Sequence, residues 1–201
     1  MIRFLHFSLV LILFASCKSY QPNANFKPLV KTVQNTYFSD PNSEFVYNTK
    51  IEAFGKTVTG LLVIKPLQNQ QHRVLLTTEF GNTLLDLTIN ENSYSKNYAI
   101  PDLDRKVILN LLSRDFKIML NQNWKINQVV TQNSETIYKS ENKNNNYYLT
   151  FKDEQLQTIE FAKRKLKLKI NYLEVMHNKA QKIKLTHLDF NIEIELINTD
   201  F

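Results

Sequence analysis

The stretch Thr57-Val58-Thr59-Gly60-Leu61-Leu62-Val63-Ile64-Lys65 decides the fold class. It is rich in β-branched residues, and Pro66 stops it. Read with period two, Val58, Gly60, Leu62 and Ile64 share one face, while Thr57, Thr59, Leu61 and Val63 share the other. Upstream, Phe45–Phe54 has the same texture, and Gly55-Lys56 between the two runs reads as a tight turn. Downstream, Gln68-Asn69-Gln70-Gln71 leads into Arg73–Phe80, and Gly81-Asn82 turns the chain into Thr83–Ile89. Tyr94–Ile100 reads as one more strand. The pattern predicts a meander of antiparallel strands.

After Pro101 the period changes. Leu103, Val107, Ile108, Leu111, Leu112, Phe116, Met119 and Leu120 fall at helical spacing, so a helix is expected over 102–120. Asp102 is its expected N-cap, with Asp104 at the positive end of the helix dipole. Strands are then expected to resume at Glu135–Ser140, Tyr147–Lys152, Gln155–Ala162, Lys165–Glu174 and Lys182–Ile197. A short helix is expected earlier, from Val30 to Phe38. The fold class is therefore mainly β with one main helix: a large curved antiparallel sheet packed on a helix.

The N-terminus carries a different signal. Arg3 precedes an apolar run from Phe4 to Phe14, followed by Ala15 and Ser16, which is the grammar of a secretory signal. The run is too short for a permanent transmembrane helix, which needs about 20 residues. Cys17 follows, the one cysteine of the 201 residues. Apolar-Ala-Ser-Cys resembles the lipobox of bacterial lipoproteins, which implies diacylation of Cys17 and cleavage before it. The expected division is residues 1–16 as signal peptide, 17–40 as lipidated cysteine and flexible tether, and 41–201 as a single domain. With its one cysteine used as an anchor, the domain has no disulfide and no thiolate metal site. The formal net charge is +6, spread among Asn, Gln and Glu. This suits a solvated surface or anionic headgroups rather than nucleic acid.

Three glycines, Gly55, Gly60 and Gly81, cannot build a phosphate loop or a dinucleotide fingerprint. No nucleophile elbow occurs. His72, His177 and His187 form no ligand pair, so satisfied or exposed histidines are expected, with no metal and no cofactor beyond lipid on Cys17. Asp86, between Leu85 and Leu87, is expected to face solvent. In Lys163–Ile170 the lysines at 165, 167 and 169 alternate with Leu166, Leu168 and Ile170. That is a half-buried strand with a solvated face, or alternatively a headgroup contact. Trp124 is expected in the core or at its rim. Nothing here supports an enzyme.

The order of parts resembles the LolA/LolB group of periplasmic carriers and outer-membrane receptors of lipoproteins. A lipobox cysteine comes first, then a meander containing Gly60–Lys65 and Arg73–Gly81, then a helix and a second meander. The resemblance spans about residues 40–200. It implies an incomplete β-barrel whose apolar concave face, partly lidded by helix, holds acyl chains. A single helix leaves part of such a face uncovered, and Leu62, Ile64, Leu76, Leu111 and Phe116 are expected to line the resulting cleft. The expected role is a monomeric lipoprotein, anchored at the periplasmic face of the outer membrane, that binds acyl chains or other lipoproteins. The alternative is an accessory lipoprotein that offers a strand edge to a protein partner.

Overall fold

The structure, a computed structural model, describes residues 19–199. Cys17 and the preceding signal-like segment lie outside the described residues. In chain order the strands are β1 (Lys27–Gln34), β2 (Phe45–Ala53), β3 (Lys56–Pro66), β4 (His72–Thr77), β5 (Thr83–Ile89) and β6 (Tyr94–Ala99). Helix α1 (Lys106–Leu120) comes next. It is followed by β7 (Asn123–Gln132), β8 (Glu135–Asn142), β9 (Asn145–Lys152), β10 (Gln155–Ala162), β11 (Leu166–Met176), β12 (Lys179–His187) and β13 (Ile192–Asn198). All thirteen strands form one antiparallel sheet, in the order β1-β7-β8-β9-β10-β11-β12-β13-β2-β3-β4-β5-β6. Strands β1 and β6 are left as free edges, so the barrel does not close.

The connectivity explains this order. The meander β2 to β6 runs outward to one edge, and α1 carries the chain back across the sheet to β7, beside the other edge. The second meander then fills the space from β7 to β2. The sheet is strongly curled. Strands β7 and β4 are nine positions apart in strand order, which would be roughly 43 Å in a flat sheet at about 4.8 Å per strand. Yet Asn123 of β7 donates to Gln70, just before β4, at 3.3 Å.

The inner face is continuous and apolar. Leu62, Leu76 and Leu85 are register partners across β3, β4 and β5; Ile64, Val74 and Leu87 form the next rung, and Pro66, His72 and Ile89 the one after. The helix buries Leu109, Leu112, Phe116, Met119 and Leu120 in the same cluster. Four two-residue turns, 54–55, 133–134, 153–154 and 177–178, have positive φ at both positions. This left-handed geometry matches the twist of tight hairpins. Only one of the four contains glycine, so the sequence marks the others weakly.

Several expectations need correction. Residues 27–34 form edge strand β1 rather than a helix, because pairing with β7 satisfies a backbone whose side chains are mostly exposed. The tether is not free from residue 19 onward: Tyr20 N–H donates to the Arg164 carbonyl at 3.0 Å, and its ring meets Tyr148 edge-on. The span 182–197 is two strands, with a link at Leu188–Asn191 that lets β12 and β13 pair antiparallel. Strand β7 is an addition to the expected strands. Helix α1 starts at Lys106, capped by Arg105 without a side-chain hydrogen bond. Asp102 lies in the preceding turn, and Asp104 is bound by Lys96 at 2.7 Å. Asp86 is buried rather than solvent-facing: Arg73 grips it through two hydrogen bonds, of 3.1 and 2.6 Å, and Asn97 donates a third of 3.0 Å. The Arg73 hydrogen bonds hold its carboxyl below the usual carboxylate range.

Candidate amphiphile-binding site

Helix α1 is fastened most firmly at its C-terminal end. The carbonyl of Met119 accepts from Tyr172 Oη at 3.1 Å and from Asn35 Nδ2 at 3.0 Å. His187 Nε2 faces Asp115 Oδ2 at 2.9 Å, with both side chains about 1% exposed. The other carboxylate oxygen of Asp115 takes Arg114 Nε at 3.1 Å. The N-terminal half is held by burial of Leu109 and Leu112 and by the exposed contact of Tyr94 Oη with Asn110 at 3.2 Å, while Val107 stands in solvent.

The five residues expected to line a cleft do converge. Leu62, Ile64, Leu76 and Phe116 are buried in one apolar cluster, and Leu111 packs against it from the helix. Side chains fill this layer, Leu111 stands half-buried at its edge, and none of the five lines the cavity described next. The open space lies one step along the same face. Beyond the last turn of α1 is a cavity of about 630 Å³, within the range of small-molecule sites. His72 and Ile89, the rung next to Ile64-Val74-Leu87, belong to its lining. Ile118, Leu120, Trp124, Tyr147 and Phe161 supply the rest of its apolar wall. Tyr147 stacks on Phe161 at 5.4 Å between centroids and meets Trp124 at 5.0 Å.

The rim is polar, mostly amides, with cations in excess over carboxylates. Arg114, Lys117, Lys125 and Lys163 stand there against Glu91 and Glu141, among several amides. Arg114 also lies over the Phe161 ring at 5.3 Å, which joins the cation to the aromatic wall. Burial pushes the Tyr147 hydroxyl above its ordinary value and His72 below its own, so the wall stays uncharged at neutral pH. His72 Nε2 lies 3.1 Å from the Phe38 carbonyl, its hydrogen-bond partner. An apolar wall beneath a cationic rim suits an amphiphile with an anionic or polar head.

Of the residues singled out from the sequence, Trp124 is buried and lines this cavity, its indole N–H donating to the Asn121 carbonyl at 3.1 Å. Arg114, Tyr147 and Phe161 were not among the residues expected at a site. The alternation Trp124-Lys125-Ile126, buried-exposed-buried, is the signal that marks β7, the strand that carries Trp124 into the wall.

No protein-family model matches the sequence, and no curated protein matches it. Similarity appears in structure. A LolA-superfamily protein from Nitrosomonas europaea aligns with a TM-score of 0.53 and 12% identity, over 83% of this chain and 88% of that one. A DUF1329-family protein from Desulfovibrio piger aligns at 0.48 and 8% identity, over 80% and 85%. A putative outer-membrane lipoprotein-sorting domain from Vibrio parahaemolyticus aligns at 0.45 and 9% identity, over 79% and 84%. The fold is LolA/LolB-like. It is an open, curved antiparallel sheet wrapped around one helix.

Proposed function

We propose that this chain is a lipoprotein acylated at Cys17 that binds acyl chains, or the acylated ends of other lipoproteins, and so aids their placement in the outer membrane. The observation that carries the reading is the continuity of cavity and core. The open cavity is the mouth of the same apolar face, and the layer of Leu62, Ile64, Leu76, Leu111 and Phe116 extends it inward beneath the helix. The rim cations meet the polar head. The LolA-like fold supports the same reading, and the role needs no catalytic group.

Trp124 supplies the test, since it is the one tryptophan in the sequence and lies in the wall. A fatty acid brominated along its chain is expected to quench Trp124 fluorescence saturably, and Arg114→Gln to weaken that binding several-fold. Absence of saturable quenching overturns the reading. A second reading, capture of a protein partner by strand addition, is favoured by one feature: β6 is a free edge whose residues are mostly exposed. Quenching by acyl probes decides for the first.

A further inference from the structure

Three links at one end of the sheet are stitched side by side. Phe54, in the β2–β3 turn, donates its N–H to the Asn191 carbonyl at 3.2 Å. Leu188 N–H, in the β12–β13 link, donates to the Lys167 carbonyl at 2.9 Å, and Lys163 N–H to that of Lys165 at 3.1 Å. This rim is apolar and basic together. Phe54 is 73% exposed, Leu188 52% and Phe190 45%, although nothing about a strand link calls for an exposed aromatic ring. Lys56, Lys163, Arg164 and Lys165 are all exposed, and none is paired with a carboxylate among the described residues. Lys167 and Lys169 of the same basic run are instead neutralised by Asp189 at 2.5 Å and Glu160 at 3.5 Å. The far ends of these strands carry both signs, with Asp153, Glu154 and Glu174 beside Lys152 and Lys179.

The chain's N-terminal side arrives at this same rim. Ser19 Oγ donates to the Lys163 carbonyl at 2.8 Å, and Tyr20 is held by Arg164 through the backbone and by Glu160 through its hydroxyl at 2.9 Å. Cys17 is two residues before Ser19, at most about 7 Å of chain. We infer that the rim formed by the Phe54, Lys163–Lys165 and Leu188–Asn191 links is the face that lies on an anionic lipid bilayer, with Phe54, Leu188 and Phe190 entering the interface and the unpaired cations meeting headgroups. One lipid anchor plus a basic patch is a usual pair of signals for durable attachment, and Phe and Leu side chains sink into the boundary between headgroups and acyl chains. The inference rests on the acylation of Cys17 proposed above. It adds an orientation: the turns at 153–154 and 177–178, at the far ends of β9–β12, point away from the membrane.

The acylated full-length protein, reconstituted into vesicles of phosphatidylglycerol or of phosphatidylcholine, tests it by the rate of lysine acetylation. Relative to detergent solution, Lys56 and Lys165 are expected to label three- to tenfold more slowly on phosphatidylglycerol, with a smaller slowing on phosphatidylcholine. Lys152, at the opposite end, should keep its rate. The double variant Phe54→Ser/Phe190→Ser should recover at least half of the lost rate without altering Lys152. Equal labelling at both ends of a vesicle-bound protein overturns the orientation. So does protection that appears only in native envelopes and never on pure lipid, an outcome that assigns the rim to a protein partner. Mass spectrometry of the same sample reads the diacylglyceryl mass on Cys17, and its absence overturns the anchor reading instead.

Discussion

The two sides of helix α1 use the same sheet face in opposite ways. Under the middle of the helix, Phe116 closes against the ladder of Leu62-Leu76-Leu85 and Ile64-Val74-Leu87, with all of these residues at most 5% exposed. Past its last turn the face opens into a cavity walled by Trp124, Tyr147 and Phe161 and rimmed by cations. One region is filled by its own side chains; the other leaves space for a foreign molecule. The difference lies in what the helix presents. Leu109, Leu112 and Phe116 point inward at helical spacing, whereas Arg114 and Lys117 turn toward the cavity and keep it wet.

The sharpest way to break this contrast is to delete one ring from each side. Phe116→Ala should cost about 3–5 kcal/mol, because it removes a buried ring and leaves a void that the surrounding ladder cannot close. Tyr147→Ala should cost less, roughly 1–2 kcal/mol, since its half-buried ring already borders open space that water can take. Urea denaturation of both variants checks the pair. Equal losses show that the two sides are packed alike, and the distinction then fails.

A second pair sharpens the filled side. A Cβ at Gly60 would sit 2.0 Å from the Thr77 carbonyl oxygen, where the β4–β5 register slips. Gly60→Ala therefore forces backbone to move and should cost about 2–3 kcal/mol. Gly81 has φ +82°, and a methyl group added there would meet nothing within 4 Å. Gly81→Ala should therefore cost only conformational strain, about 1–2 kcal/mol. Thermal unfolding that ranks Gly81→Ala as the more damaging of the two contradicts the close approach.

How far the sequence reveals these two sides differs in the same way. Period-two alternation in Thr57–Lys65 and helical spacing from Leu103 to Leu120 point Leu62, Ile64 and Phe116 inward, because a filled core is written in local hydrophobic pattern. The cavity is not. Arg114 and Lys117 read as ordinary exposed helix residues, and Tyr147 and Phe161 as ordinary strand aromatics. Only the curl of thirteen strands brings residues from β4, β5, α1, β7, β9 and β10 to one mouth. The expected helix at Val30–Phe38 failed for a related reason: its pairing with β7, nearly a hundred residues away in sequence, outweighs local spacing.

The smallest expected effect probes the seam between the two regions, where His72 belongs both to the buried ladder and to the cavity lining. Burial depresses its proton affinity in the folded chain below the ordinary histidine value of about 6.5, outweighing the opposing hydrogen bond to Phe38. Above that value the ring is neutral in both the folded and unfolded states, so it adds no pH dependence. As pH falls through about 6.5 the unfolded chain takes up the proton first, and the folded state loses stability down to the lowered folded value. One proton limits this slope to about 1.4 kcal/mol per pH unit. Urea midpoints measured between pH 7.5 and 5 should fall less steeply in His72→Gln than in the unaltered chain, and identical slopes would remove His72 from the seam. His187, buried against Asp115 under the helix, remains in both proteins. The difference between the two slopes therefore isolates the ring at the cavity mouth.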